Sequence, residues 1–144
     1  MPDKRFIDTN VSVYALVTNG SEAAKGAKAR EILRSEQVCI STQVLGEFYQ
    51  AVTSSRRQSA LTHDEAVAWI QLWKRYEVKG ISVSHVDLAL ELTRLFQVNY
   101  YDGLIIAAAR LAGCPVLYSE DLNDGLEYDG IRVQNPFRTT KGRE

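Results

Sequence analysis

Short apolar runs of strand length alternate along this chain with longer segments of helical spacing, and no other feature of the sequence limits the fold as strongly. The runs are RFI, VCIS, PVLYS and IRVQ, which begin at residues 5, 38, 115 and 131. Such alternation is typical of α/β domains, in which helices connect and cover parallel strands. We therefore predict an α/β domain with a mostly parallel sheet.

The segments between these runs carry helix start signals. Ser21 opens a segment rich in Ala, Lys and Glu and is predicted to cap it. Thr62 with Glu65, and Ser84 with Asp87, have the spacing of a capping box. The last segment is nearly all apolar and predicts a central helix. The predicted helices cover residues 21–36, 41–52, 62–77, 84–96 and 100–113.

The composition fits a single domain over residues 1–144, with a flexible tail from about residue 137. Hydrophobic residues make up 45% and charged residues 24% of the chain, as in ordinary globular proteins. The N-terminus reaches a charge before it builds an apolar stretch, so we expect no membrane span and a cytoplasmic location. Cys39 and Cys114 lie in apolar runs, where we expect buried, reduced thiols.

Two carboxylates follow predicted strands, and ligands of parallel α/β sheets bind at these strand ends. Asp8 comes directly after RFI, and Asp121 follows PVLYS with one residue between. Glu47 flanks the apolar stripe of the helix after VCIS, and Asp102 falls in the first turn of the central helix. If these helices pack across the sheet, all four carboxylates lie near one edge.

Each of these acids also has a purely structural explanation. Asp8 can cap a helix, Asp102 can favour a helix dipole, and Glu47 can be a solvated helix residue. Asp121 and Asp124 lie in SEDLNDG, which has the composition of a simple turn. Together, however, four carboxylates at one edge would repel one another unless a cation lies among them.

Carboxylate oxygens predict a hard divalent ion such as Mg²⁺ or Mn²⁺. Zinc is not expected, because His63 and His85 are isolated and neither cysteine has a partner at ligand spacing. A carboxylate-held ion of this kind can activate a water and hold a phosphate for in-line displacement. The residues therefore point to a phosphodiesterase or a nuclease.

Four segments resemble, in order and over nearly the whole chain, the PIN-domain ribonucleases of the VapC toxin type. They read FIDTNVSVYAL, STQVLGEFYQAV, NYYDGLIIAAARLAGCPVLYSEDLNDG and IRVQNPF. The resemblance implies a three-layer α/β/α fold, a homodimer and Mg²⁺- or Mn²⁺-dependent cleavage of RNA. It also implies neutralisation by a cognate VapB-like antitoxin.

The resemblance assigns catalysis and metal binding to four acids, which we call the quartet, and a supporting role to three polar neighbours. Two residues depart from the family pattern, since Ser12 replaces an aliphatic residue and Gly103 replaces a common alanine. Asp124 is a possible additional acid in the loop. The quartet is Asp8, Glu47, Asp102 and Asp121, and the supporting residues are Thr9, Asn10 and Ser119.

Three other functions compete with a nuclease. A phospho-acceptor signalling domain also groups carboxylates around Mg²⁺, but FIDTN and VLYSEDL lack the acidic pair and the lysine that it needs. A phosphatase with an Asp-x-Asp nucleophile is excluded, because position 10 is asparagine. A PIN-like domain that binds a metal or a partner without catalysis stays open.

The net charge of −1 provides no overall basic field, so RNA would need local cations. The acidic loop SEDLNDGLEYDG would instead attract a basic segment of an inhibitory partner. Trp69, Trp73 and Tyr76 share one helical face, which fits either a dimer interface or ordinary core packing. The candidate cations are Arg56, Arg57, Lys74, Arg75, Arg138, Lys141 and Arg143.

Overall fold

The computed structural model describes residues 3–138, which form an α/β fold around one six-stranded sheet. The strand order is β3-β2-β1-β4-β6-β5, and all neighbours are parallel except the antiparallel pair β5 and β6. The predicted, mostly parallel sheet is thereby confirmed. The strands are β1 (Arg5–Ile7), β2 (Val38–Ser41), β3 (Glu77–Lys79), β4 (Val116–Tyr118), β5 (Glu127–Tyr128) and β6 (Ile131–Gln134).

Helices cover both faces of this sheet. The chain moves from β1 through β2 to β3 in one direction and then returns to β4, on the other side of β1. Because crossovers between parallel strands are right-handed, the helices before β3 cover one face and the two after it cover the other. This is the expected three-layer α/β/α arrangement. The helices are α1 (Thr9–Tyr14), α2 (Ala23–Ser35), α3 (Thr42–Thr53), α4 (His63–Trp73), α5 (Val83–Phe96) and α6 (Tyr100–Leu111).

Helix α6 is the central helix that the sequence predicts. All its residues from 103 to 109 are buried, and it packs on β2, β4 and β6 as well as on α5. A Cβ atom at Gly103 would lie 3.0 Å from the carbonyl oxygen of Ala89 in α5. Glycine at this position therefore lets α5 and α6 approach more closely than alanine would allow.

The helix caps agree with the sequence at one site and differ at two. Thr62 and Glu65 form the predicted capping box. Helix α2, in contrast, begins after Glu22 without a side-chain cap, so Ser21 is not its N-cap. The N-cap of helix α5 is Ser82, two residues before the predicted Ser84, and the backbone N–H of Ser82 donates to Nδ1 of His85 at 3.1 Å. The prediction that Ser84 and Asp87 form the capping box of α5 is therefore wrong, since Ser82 and His85 form it.

Two strands and one boundary differ from the prediction. The helix predicted over 62–77 ends at Trp73, and the chain then forms β3 at the edge of the sheet. Strand β5 has only two residues and pairs with β6 through a turn at Asp129 and Gly130, both at positive φ. Neither strand has an apolar run that would mark it in the sequence.

Other packing expectations have clear outcomes. Cys39 and Cys114 are buried and free, as predicted. Trp73 is buried and stacks on Trp69, so core packing explains it, and the homodimer stays a prediction. Phe137 packs edge-on against Tyr14, and the flexible tail stays a prediction.

Two expectations concern the ends of the chain and the membrane. Residues 139–144 of the predicted tail lie outside the described residues. Within residues 3–138, no helix is both long and apolar enough to cross a membrane.

Candidate active site

The candidate site lies where the strand order reverses, between β1 and β4. Ile7 pairs with Tyr118 in register, and the backbone N–H of Asp8 donates to the carbonyl oxygen of Tyr118 at 2.9 Å. Asp8 and Ser119 therefore leave the two strands at the same level. This is the position at which open α/β sheets bind their ligands.

Asp8 is held by both of its carboxylate oxygens. Oδ1 accepts a hydrogen bond from the backbone N–H of Thr9 at 2.7 Å, which caps α1, and Oδ2 accepts one from Oγ of Ser119 at 2.7 Å. The residue is only 5% exposed. The structure therefore shows that Asp8 caps α1, and this cap uses only one of its two carboxylate oxygens.

Ser119 has a fixed hydroxyl orientation. Its Oγ accepts from the backbone N–H groups of Asp121 and Leu122, at 3.1 and 3.3 Å, so its own proton points to Asp8. The residue is fully buried. Ser119 thus connects the end of β1 to the turn that carries Asp121.

Glu47 is held by two other side chains. Its Oε1 accepts from Oγ1 of Thr9 at 2.6 Å, and its Oε2 accepts from Nε2 of Gln43 at 2.9 Å. The same Nε2 donates to the carbonyl oxygen of Tyr101 at 3.2 Å, one residue before Asp102. Sequence reasoning missed Gln43, although its place one helical turn before Glu47 on α3 was a usable signal.

Asn10 fixes the loop after β4. Its Nδ2 donates to Oδ2 of Asp121 at 3.2 Å, and its Oδ1 accepts from the backbone N–H of Glu120 at 3.4 Å. The three predicted supporting residues are thus each bonded to a quartet member. Thr9 bonds Glu47, Asn10 bonds Asp121 and Ser119 bonds Asp8.

Asp102 lies in the first turn of α6. The backbone N–H of Asp102 donates to Oδ1 of Asn99, which caps the helix. Burial raises the pKa of Asp102, and the charges of Asp121 and Glu47 raise it further. Among residues 3–138, no hydrogen bond engages its carboxylate. Asp102 therefore faces the other acids without a compensating donor.

The quartet carries uncompensated negative charge. Burial raises the pKa of Asp8 to about 6; the bonds from Ser119 and Thr9 oppose this, and the charges of Asp121 and Glu47 add to it. No described salt bridge includes a quartet member. Each acid thus lies within electrostatic reach of others and forms no ion pair with a described Lys or Arg.

This donor set fits a hard divalent ion. It consists of carboxylate oxygens with hydroxyl and amide support, which Mg²⁺ and Mn²⁺ prefer, and its mutual repulsion is what a cation relieves. In the described part of the chain, no three carboxylate, imidazole or thiol groups converge closely enough to ligate one ion. The acids therefore define a region of the molecule and not a formed coordination shell.

Asp124, the possible additional acid, lies in different contacts. Its Oδ1 accepts from the backbone N–H of Asn135 and its Oδ2 from Arg138, both at 2.8 Å. Arg138 is thus engaged by the chain itself, whereas Lys141 and Arg143 lie outside the described residues. Asp124 anchors the loop, and its bonds explain it without a role at the site.

Comparisons with known proteins agree with this architecture. The PIN domain family profile matches residues 5–123. VapC20 of Mycobacterium tuberculosis, described as a sarcin-ricin loop cleaving toxin, is 24% identical in sequence, with a TM-score of 0.63 over 81% of this chain and 89% of that chain. A search of curated protein sequences finds no match.

Two complexes are also similar in fold. A toxin–antitoxin complex from Klebsiella pneumoniae is 17% identical, with a TM-score of 0.69 over 94% of this chain and 99% of that one. DNA-bound VapBC from Salmonella typhimurium is 20% identical, with a TM-score of 0.65 over 93% and 98% of the two chains. The profile match spans most of the chain and includes all four acids, so this chain belongs to the PIN domain family.

Proposed function

We propose that this protein is a metal-dependent endoribonuclease and the toxin of a toxin–antitoxin pair. The observation that carries the proposal is the quartet itself, four acids at the switch point of a PIN domain that form no ion pair with any Lys or Arg of residues 3–138. Repulsion among these acids lowers the stability of the metal-free fold. A divalent ion bound among them would remove that repulsion. We place the activity in the cytoplasm, where RNA substrates are found.

In this proposal Asp8, Asp102 and Asp121 hold Mg²⁺ or Mn²⁺, while Glu47 completes the set or orients the attacking water. When bound, the ion supplies positive charge that lowers the pKa of a water and offsets charge on the scissile phosphate. The chain's own contribution is orientation. Ser119 directs Asp8, and Asn10 directs Asp121.

The proposed partner is a VapB-like antitoxin. The structures similar in fold include toxin–antitoxin complexes, by their own descriptions. This chain has an apolar groove of about 600 Å³ between α2 and α4, with Trp69, Trp73 and Tyr76 in its wall and three arginines beside them. The groove suits a segment with apolar and acidic side chains, and the quartet suits a basic one.

A salt series tests the electrostatic part of this partnership. The purified complex should dissociate more readily as salt concentration rises, because charge pairs at its interface are screened. Complete insensitivity to salt in a binding titration contradicts the proposed basic contact. The homodimer is proposed beside it and is tested by the mass of the antitoxin-free protein in solution.

The second candidate is a PIN domain that binds a metal or a partner without catalysis. The observation that favours it is that no three potential ligands of residues 3–138 converge on one point. The nuclease requires a small closing movement of these side chains around the ion, whereas a binding domain does not.

Cleavage of mixed RNA by the antitoxin-free protein tests the nuclease. The pool contains tRNA, rRNA fragments and mRNA, and each reaction is run with Mg²⁺, with Mn²⁺ and with EDTA. We expect cleavage with either ion and none with EDTA. Asp102→Asn should abolish cleavage and leave the fold intact, since no described hydrogen bond of Asp102 is lost.

Two outcomes contradict the proposal in different ways. Full activity of Asp102→Asn, or cleavage in EDTA, rules out the assigned metal-dependent mechanism. Metal binding by calorimetry without cleavage of any RNA in the pool favours the binding domain. Circular dichroism of wild type and variant shows whether a loss of activity reflects a loss of fold.

A further inference from the structure

We infer that Gln43 is a positioning residue that sets the distance and orientation of Glu47 relative to Asp102 in the metal-binding region. Its side chain bonds Oε2 of Glu47 and the carbonyl oxygen of Tyr101 through the same amide nitrogen, at 2.9 and 3.2 Å. The inference rests on the proposed function, because Glu47 has a task there only if the quartet binds an ion.

The amide has only one orientation that satisfies these contacts. Both partners of Nε2 are acceptors, a carboxylate and a carbonyl, so exchanging the amide oxygen and nitrogen would place an acceptor against two acceptors. Each of the two N–H groups then has its own partner. Gln43 therefore acts as a double donor that joins α3 to the first turn of α6.

These bonds link the acids in a chain. Thr9 ties Glu47 to the residue after β1, and Gln43 ties Glu47 to the residue before Asp102. Glu47 is thus the member whose two oxygens connect the β1 side of the region to α6. Without Gln43, the bond from Thr9 is the one hydrogen bond from residues 3–138 that would still restrain its carboxylate.

A neutral donor suits this task better than a charged one. Lysine at position 43 could also donate to Glu47, but it would neutralise the carboxylate and compete with a divalent ion. Glutamate would repel Glu47. The amide orients the carboxylate and leaves its full negative charge available.

The structure also shows a cost of placing this amide here. Oε1 of Gln43 is buried and has no hydrogen-bond partner among residues 3–138. An apolar side chain of the same length would not bury an oxygen without a hydrogen bond, and so would avoid the free-energy penalty of desolvating it. The benefit that remains is the pair of bonds directed at Glu47 and at the start of α6.

Calorimetric titration of the full-length protein with Mn²⁺ tests the inference without any RNA. Gln43→Met keeps the length of the side chain and removes both donors. We expect its Mn²⁺ affinity to fall by about 10–100-fold, as is usual when a residue that orients a ligand is lost. Gln50→Met, on the same helix and exposed, is the matched control and should bind Mn²⁺ like wild type.

A double variant separates positioning from a general effect on the fold. Because Gln43 is proposed to act through Glu47, Gln43→Met should cause no further loss of affinity when Glu47→Gln is already present. An equal loss in both backgrounds, or no loss in the wild-type background, overturns the inference. In the cleavage assay, kcat should fall while KM for RNA stays unchanged.

The failure of this inference differs from the failure of the proposed nuclease. If Mn²⁺ binds with the expected dependence on Gln43 but RNA is not cut, the positioning role stands and the nuclease does not. If wild type cuts RNA and Gln43→Met binds Mn²⁺ like wild type, the nuclease stands and the positioning role is wrong. If wild type binds no Mn²⁺, the inference fails whatever the RNA assay shows.

Discussion

Two acidic regions lie side by side in this molecule and differ in how their charge is balanced. In the loop over residues 120–129, Glu120 pairs with Lys25 at 2.6 Å and Asp124 pairs with Arg138 at 2.8 Å, while Asp129 contacts Arg110. In the quartet, no described salt bridge is formed. Among residues 3–138, three acids of this loop thus have a cation partner, and no quartet acid has one.

The same contrast appears in the titration of two carboxylates. Burial alone would raise the pKa of Glu120, but the bonds from Lys25 and Tyr14 outweigh it, and the pKa falls below its ordinary value. For Asp8, burial and the charges of Asp121 and Glu47 outweigh two hydrogen bonds, and the pKa rises to about 6. The acids that pair with cations of the chain and the acids proposed to bind a metal therefore differ in their partners.

The largest expected effect comes from Asp121, the one quartet acid in the loop. Asp121→Asn keeps the size of the side chain and removes a charge that no described cation balances. We expect Mn²⁺ affinity and RNA cleavage to fall by about 100-fold or more, beyond what the loss of an outer contact causes. Calorimetry measures the affinity, and the RNA assay measures the cleavage. Wild-type Mn²⁺ affinity in this variant would contradict the proposed difference between the quartet and the paired acids of the loop.

The next effect is the dependence of metal binding on pH. The pKa of Asp8 is raised in the folded protein, so its protonation favours the metal-free fold. The stability that protonated Asp8 gives to the metal-free fold is complete below pH 3.8 and is lost as the pH rises through about 6. Protons then compete with the ion, and the dissociation constant for Mn²⁺ should rise by about tenfold for each pH unit below 6.

Titrations at several pH values between 5 and 7.5 test this dependence. The midpoint should move to lower pH in Asp121→Asn, because one charge that raises the pKa of Asp8 is gone. The shift should be incomplete, since burial is the larger cause. A flat affinity across this range would show that Asp8 does not compete with protons for the ion.

The smallest effect belongs to Asp124, the matched acid of the loop. Asp124→Ala removes an acceptor for the backbone N–H of Asn135 and a half-exposed ion pair with Arg138. The free energy of unfolding should fall by about 1–2 kcal/mol, and metal affinity should not change. Thermal unfolding measures the stability of the variant and calorimetry measures its metal affinity. A variant with reduced metal affinity and wild-type stability would show that Asp124 takes part in metal binding.

Much of the fold follows from sequence patterns that report burial. The four apolar runs predict β1, β2, β4 and β6, and the all-apolar segment predicts α6. Strands β1, β2 and β4 and the centre of α6 are largely buried, and β6 buries Ile131 and Val133 on one face. Strand β3 lies at the edge and has half-buried residues throughout, so it lacks such a pattern. The cap of α5 uses His85 where the usual rule expects glutamate or glutamine, and this hid the true start of the helix.

Some residues of the candidate site can likewise be predicted from the sequence, and others cannot. Position after a strand identifies Asp8 and Asp121, because topology brings strand ends together. It does not separate Asp121 from Asp124, since both lie in one turn-like segment and only their partners differ. The role of Gln43 depends on a carbonyl 58 residues away in the chain, which no local pattern reports.

The burial of α6 also bears on how the molecule opens. Amide protons within a helix buried all round exchange with solvent only through large-scale unfolding, whereas those of an exposed turn exchange through local openings. Asp102 lies in the first turn of the buried helix, and Asp121 is an exposed residue of the turn after β4. An ion held between them would join a buried helix to a partly exposed turn, so its binding should slow exchange around residues 119–125 and leave that of α6 nearly unchanged.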